Sequence, residues 1–135
     1  MKKFTLSLFF SLLGLGSIYK SNAQANNDIF TMALTGDAII TRKLSVYDEA
    51  PFLEMIKLIR SADVAFTNFE MLLHDYEPYP MHKSGGTYMR AKPSMAKELV
   101  WAGFDMVSTA NNHTGDYGTQ GMRLTLKYLN EYGLV

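Results

Sequence analysis

The stretch Phe104-Asp105-Met106-Val107-Ser108-Thr109-Ala110-Asn111-Asn112-His113-Thr114-Gly115-Asp116-Tyr117-Gly118 decides how this chain folds. It opens as an apolar run and then packs two amides, an imidazole, a carboxylate and two glycines into nine residues. An apolar run ending in dense polar chemistry reads as a strand delivering side chains to the rim of a sheet. In open α/β sheets, ligands bind in the crevice beyond the carboxyl ends of the strands. Working outward, the pattern occurs twice upstream. Phe30-Thr31-Met32-Ala33-Leu34-Thr35 ends in Gly36-Asp37, and Asp63-Val64-Ala65-Phe66-Thr67 ends in Asn68-Phe69-Glu70.

Helical signals lie between these runs. Asp48 and Pro51 suit a helix start. Phe52, Met55, Ile56 and Ile59 then recur at i, i+3, i+4 and i+7, with an end near Arg60-Ser61. Pro93 opens a second helix with Met95, Leu99 and Ala102 on one face, and Gly103 closes it. A third runs from Gly121 to Tyr132 and carries Met122, Leu126 and Leu129, with Gly133 as its stop and Leu134-Val135 as the start of another strand. The order βαβαβα implies an α/β fold with parallel strands and right-handed crossovers. The strands are apolar enough to be buried on both faces. From Met71 to Met89 the periodicity dissolves around Pro78, Pro80 and Gly85-Gly86, as in a functional loop or flap.

Residues 1–25 read as a signal peptide. Lys2 and Lys3 precede an apolar stretch from Phe4 to Ile18, and Ser21-Asn22-Ala23-Gln24-Ala25 offers cleavage near Ala23 or Ala25. The alternative is an uncleaved anchor, for which the stretch is short of the roughly 20 residues a span needs. With no cysteine, neither disulfides nor acylation at cysteine are open to the exported chain. Removing residues 1–25 takes away three lysines and no acid, leaving 10 basic against 13 acidic side chains. That balance argues against nucleic acid, which demands a basic footprint. It leaves room for an anionic substrate, because a bound cation inverts the local field. Residues 26–135 are expected to be the N-terminal portion of a longer domain, cut as its next strand begins.

Neighbouring strands lie about 4.8 Å apart, so short polar side chains at three strand ends can converge on one ion. Carboxylate, amide oxygen and imidazole are donors that hard or borderline divalent cations accept. Asp37 is a candidate ligand or a turn residue after Gly36. Glu70 is a candidate bridge between two metals or a solvated loop carboxylate, and Asn68 a supporting residue or a strand terminator. Asn112 is a weak neutral ligand that needs charged partners. His113 is a ligand, or a group just beyond the metals that protonates a leaving oxygen or clamps developing charge. Asp116 either caps the helix near Thr119 or orients His113. His74 and His82, with no second histidine at ligand spacing, are expected to face solvent. Gly85-Gly86 lacks the Lys-Ser/Thr of a phosphate loop, and there is no nucleophile elbow.

Gly36-Asp37, Asn68-Phe69-Glu70 and Ala110-Asn111-Asn112-His113-Thr114-Gly115-Asp116-Tyr117-Gly118 together resemble the CapA, or PgsA-type, capsule and poly-γ-glutamate synthesis family, from about Thr31 to Val135. Ala102-Gly103-Phe104-Asp105 matches that family's lead-in to its third strand, and Arg42 sits where it often carries an arginine. Phe69 replaces its more usual leucine. The family is similar to calcineurin-like metallophosphoesterases, which implies a four-layer α/β/β/α fold with two metals (manganese, iron or zinc) at the sheet's edge. By that resemblance Asp37, Glu70 and Asn112 would be metal ligands and His113 the acid beside them. Asp116 would act with His113, and Asn68, Asn111 and Arg42 would support the site. The family's further histidine motifs fall beyond Val135, so residues 1–135 alone are expected to be inactive. The function implied is an exported two-metal hydrolase acting on an anionic cell-surface polymer or its precursor, beside membrane-bound polymer synthesis machinery. The alternatives are an inactive truncated fragment and a non-catalytic accessory protein for polymer export or anchoring. In the latter, Tyr76, Tyr79 and Tyr88 beside Lys83, Arg90 and Lys92 would grip the polymer.

Overall fold

A computed structural model of the chain describes residues 29–135. The signal-peptide reading of residues 1–25 lies outside the described residues. Among the described residues five strands and three helices follow one another as β1 (Met32–Ala38), α1 (Ala50–Arg60), β2 (Val64–Phe69), β3 (Leu72–Leu73), β4 (Arg90–Ala91), α2 (Ala96–Ala102), β5 (Met106–Ser108) and α3 (Gly118–Glu131). A 3₁₀ turn at Pro93–Met95 leads into α2. The main sheet has the order β1-β2-β5, all parallel, and so carries the expected α/β alternation. Beyond β5 the Val107 amide donates to the Val135 carbonyl at 2.7 Å, and the Val135 amide to the Asp105 carbonyl at 3.1 Å. Leu134-Val135 therefore runs beside β5 as the strand reading requires. Among the described residues no helix is long and apolar enough to cross a membrane.

The core forms where α1 and α2 cover one face of this sheet. Ile56 and Ile59 of α1 and Leu99 and Ala102 of α2 meet Ala65 and Phe69 of β2 and Phe104. Gly103 ends α2 at φ 100°, the left-handed cap that its lack of a Cβ permits. The opposite face is open, and the expectation of strands buried on both sides fails there. Met32 and Leu34 of β1 and Met106 of β5 are exposed, Leu34 by 70 %. Two-sided burial needs covering layers on both sides, and the described helices supply only one.

Two further departures concern the segment after β2 and helix α3. The connection is not structureless at its ends. Leu72–Leu73 and Arg90–Ala91 pair in parallel as a second small sheet, too short for any periodicity to reveal. Helix α3 packs on β3 through Gly121, Thr125 and Leu129, with Met122 half-buried beside Leu72, whereas Leu126 is 44 % exposed. A Cβ on Gly121 would stand 3.0 Å from Leu72 Cδ2 and 2.6 Å from Tyr117 Cβ, so glycine lets the helix lie close to β3. The Thr125 hydroxyl accepts the Leu73 amide at 2.9 Å and itself donates to the Gly121 carbonyl. A search for large apolar residues overlooks such a face.

Candidate active site

The site begins with a register slip in β1. Leu34 pairs with Phe66, yet Asp37 pairs with Asn68, so β1 carries one extra residue around Thr35-Gly36. Side chains alternate between faces along a strand, and strict alternation would put Asp37 on the core side with Ala33 and Thr35. The bulge turns it to the open side beside Asn68, a re-aiming for which bulges near active sites are known. Thr67 secures the bulge by donating its hydroxyl to the Gly36 carbonyl at 2.8 Å.

A chain of carboxamides then links the three strand ends. Asn68 Nδ2 donates to Asp37 Oδ1 at 2.8 Å, and Asn111 Nδ2 donates to Asn68 Oδ1 at 3.2 Å and to the Phe69 carbonyl at 3.1 Å. Asn111 Oδ1 accepts the His113 amide at 3.0 Å. Each amide is fixed in orientation by having a donor on one side and an acceptor on the other. Asn111 thereby carries the frame of β2 directly to His113.

Asp116 is the second anchor. It is 1 % exposed, and its Oδ2 lies 2.8 Å from His113 Nδ1. The same carboxylate accepts the Gly85 amide on Oδ1 and the Met89 amide on Oδ2, each at 2.8 Å. Of the two roles open to Asp116, the structure shows contact with His113; helix α3 starts at Gly118 with no side-chain cap. A carboxylate oxygen only accepts, so the ring tautomer that suits this contact is the one with the proton on Nδ1, and Nε2 faces Glu70 Oε1 at 3.7 Å. The Glu70 carboxyl is held above the usual glutamate range. A hydrogen bond with Asp37 contributes most, followed by burial and the Asp37 negative charge, while His113 pulls the other way.

Asp37, Asn68, Glu70, Asn111, His113 and Asp116 thus form one connected set. Asn112 turns toward the loop instead, its Nδ2 donating to the Gly85 carbonyl at 2.9 Å. Arg42 makes no side-chain hydrogen bond or ion pair among the described residues. Among those residues no three His, Asp or Glu side chains are gathered as a ready-made metal cage. The donor chemistry nonetheless fits a divalent cation: the Asp37 and Glu70 carboxyls, an imidazole edge 3.7 Å from Glu70, and the Asn68 carboxamide bonded to Asp37.

The long loop contributes what the sequence did not reveal. Gly85, dismissed as a phosphate-loop residue, meets the site from the far side. The expectation that His74 faces solvent is wrong, because it is wholly buried, its ring centroid 4.1 Å from that of Tyr117. Its Nδ1 accepts the Tyr76 amide at 3.2 Å, and its Nε2 has no partner among the described residues. Placement directly after β3, under Tyr117 and Arg90, is what buries it, and only the unrecognised β3–β4 pair could have foretold that. His82 is exposed, as expected. The polymer-gripping set is partly spent on the fold itself. Arg90 donates to the His74 carbonyl at 2.7 Å and stacks on Tyr76 at 3.7 Å, and the Tyr88 hydroxyl donates to the Met81 carbonyl.

A parallel α/β unit with acid, amide and histidine side chains joined at its strand ends is the class of protein that these observations define. Residues 25–135 match the family described as "Bacterial capsule synthesis protein PGA_cap", and the chain belongs to that family. It is similar to the uncharacterized proteins y4sH and y4uA of Sinorhizobium fredii (strain NBRC 101917 / NGR234). Each is 38% identical over 125 residues, which cover 90% of this chain and 27% of the relative. It is 29% identical over 115 residues to the "Capsule biosynthesis protein CapA" of Bacillus anthracis, covering 80% of this chain and 28% of that protein. The chain thus spans little more than a quarter of the length of these relatives. The family read from the three motifs is the family found.

Proposed function

We propose that this chain serves capsule biosynthesis as the N-terminal part of an exported, two-metal hydrolase of calcineurin-like α/β/β/α layering, acting on an anionic surface polymer or its precursor. The observation that carries this reading is the hydrogen-bonded chain that holds Asp37, Asn68, Asn111, His113 and Asp116 in one frame, with Glu70 Oε1 3.7 Å from His113 Nε2. The Asp37 charge opposes ionisation of Glu70, a conflict that a bound cation would relieve. Asp37, Glu70 and the side-chain oxygen of Asn112 are the groups that would hold manganese, iron or zinc. Such a pair of cations supplies a water activated for attack and neutralises charge on the scissile group.

The remaining roles belong to the chain's own residues. Asp116 fixes His113 by Nδ1, so Nε2 is the atom left to exchange a proton at the reacting centre. In its doubly protonated form His113 gives that proton to the leaving oxygen or nitrogen as the bond to it breaks, and returns to the neutral ring. Asn68 and Asn111 keep Asp37 and His113 in one frame. The bond is a phosphoester or an amide of the poly-γ-glutamate kind. Elemental analysis of the full-length protein beside Asp37→Ala tests the reading. About two equivalents of metal, lost in the variant, support it. Metal in neither protein removes the hydrolase and leaves the accessory, polymer-binding role.

A further inference from the structure

The segment from Asp75 to Met89 touches the site at four backbone points. The Gly85 and Met89 amides donate to the Asp116 carboxylate, and the Met81 amide donates to the Asp116 carbonyl at 2.8 Å. The Gly85 carbonyl accepts Asn112 Nδ2. Gly85 also lies flat against the Asn112 backbone. A Cβ built on it would fall 2.5 Å from the Asn112 carbonyl carbon and closer still to its oxygen. Gly85 does not need a left-handed backbone, so the demand for glycine here is purely one of approach.

We propose that Gly85 is a positioning residue for Asn112 and His113, and that the Asp75–Met89 loop is a working part of the centre. The inference rests on the reading of Asn112 and His113 as centre residues. Gly85 acts on both through different atoms. Its carbonyl accepts a hydrogen bond from Asn112 Nδ2, which sets the orientation of that amide and so the direction its oxygen faces. Its amide holds Asp116 Oδ1, while Oδ2 holds His113. A loop displaced by one side chain's thickness therefore releases the amide of Asn112 and loosens the orientation of His113 together. Supporting contacts of this kind change metal affinity without touching the metal.

The test compares Gly85→Ala with Gly115→Ala, an exposed glycine outside that loop where a Cβ meets nothing within 4 Å and no left-handed backbone is involved. Mn²⁺ affinity of the full-length protein, measured by titration calorimetry, should fall at least about tenfold in G85A and stay near wild type in G115A. Amide hydrogen exchange should quicken at residues 81, 85, 89 and 111–113 in G85A, with β1, β2 and α1 unchanged. A merely destabilised fold would quicken all of them together. Exchange at 111–113 equal in the two variants overturns the proposal. If wild type binds no Mn²⁺, the proposed function falls while the exchange comparison still decides the role of Gly85. If G85A does not fold, Asn112→Asp removes the same hydrogen bond at constant size. Faster exchange at residues 81, 85 and 89 then supports the proposal, and unchanged exchange rejects it.

Discussion

His113 and His74 are buried to nearly the same degree, 6 % and 0 % exposed, yet their surroundings are built on opposite terms. At His113 one ring nitrogen meets a buried carboxylate and the other looks toward Glu70. At His74 one nitrogen accepts a backbone amide and the other, beneath Tyr117 with Arg90 nearby, has no partner among the described residues. Buried polar groups are nearly always partnered, and an unpartnered one carries its full desolvation cost. The first region is a polar network anchored at both ends, in which the Asp37 and Glu70 charges oppose each other. The second is an aromatic and cationic plug that sets the small β3–β4 sheet against α3 and tolerates a lone orphan. Burial alone does not mark a functional histidine; the partners of both ring nitrogens do.

The largest effect expected is at the anchor of the first region. Asp116→Ala strands two backbone amides and the His113 ring at once, and should destabilise the protein by about 3 kcal/mol. Urea unfolding measures this, and a loss under about 1 kcal/mol would show that the network is not anchored there. Next, His113→Phe leaves Asp116 short of a donor and should cost about 2 kcal/mol at pH 7, whereas His74→Phe should stay within about 1 kcal/mol, because the Tyr76 amide loses its acceptor but the Nε2 that has no partner among the described residues goes with the ring. Equal losses would erase the contrast between the regions.

That contrast sharpens with pH. Burial, and then the Arg90 charge, hold His74 below the ordinary histidine value, so the fold favours its neutral form. The unfolded chain then binds more protons as pH falls below about 6.5, and wild type loses stability across that window down through the depressed value. Melting curves should show H74F gaining on wild type as the pH falls. The smallest effect has the opposite sign with pH. Glu70, raised by its Asp37 contact, loses its favoured protonated form as pH rises, so Glu70→Gln should raise the melting temperature of metal-free protein above the glutamate range but not below about pH 4. An unchanged difference across that range would mean that the two carboxyls do not oppose each other.

The alternation of strands and helices was legible because α1 and α2 bury large apolar residues at helical spacing, and the polar strand ends advertised themselves. Parallel neighbours ending level put Asn68 and Glu70 beside the end of β5, and Asn111 and Asp116 then bring His113 to them. What escaped reading has small or backbone causes. Two-residue strands carry no period, the face of α3 is made of Gly121 and Thr125, and Gly85 acts through its amide, its carbonyl and its missing Cβ. His74 deceived because its burial comes from that unread two-residue pairing. The one legible hint left unused was Gly36, since a glycine inside an apolar strand is a sign of a bulge.

The bulge makes the count of residues in β1 a matter of parity. Between Leu34 and Asp37 the strand holds one residue more than its neighbour, and this odd step alone decides on which side of the sheet the aspartate emerges. A deletion of Gly36 would leave every side chain's chemistry intact and swing Asp37 toward Thr67 and the helices. The insertion is small enough to pass for noise in a comparison of sequences. The segment before Asp37 should therefore tolerate exchange of residues far better than any change in their number, because one residue lost or gained there sends the carboxylate to the wrong side.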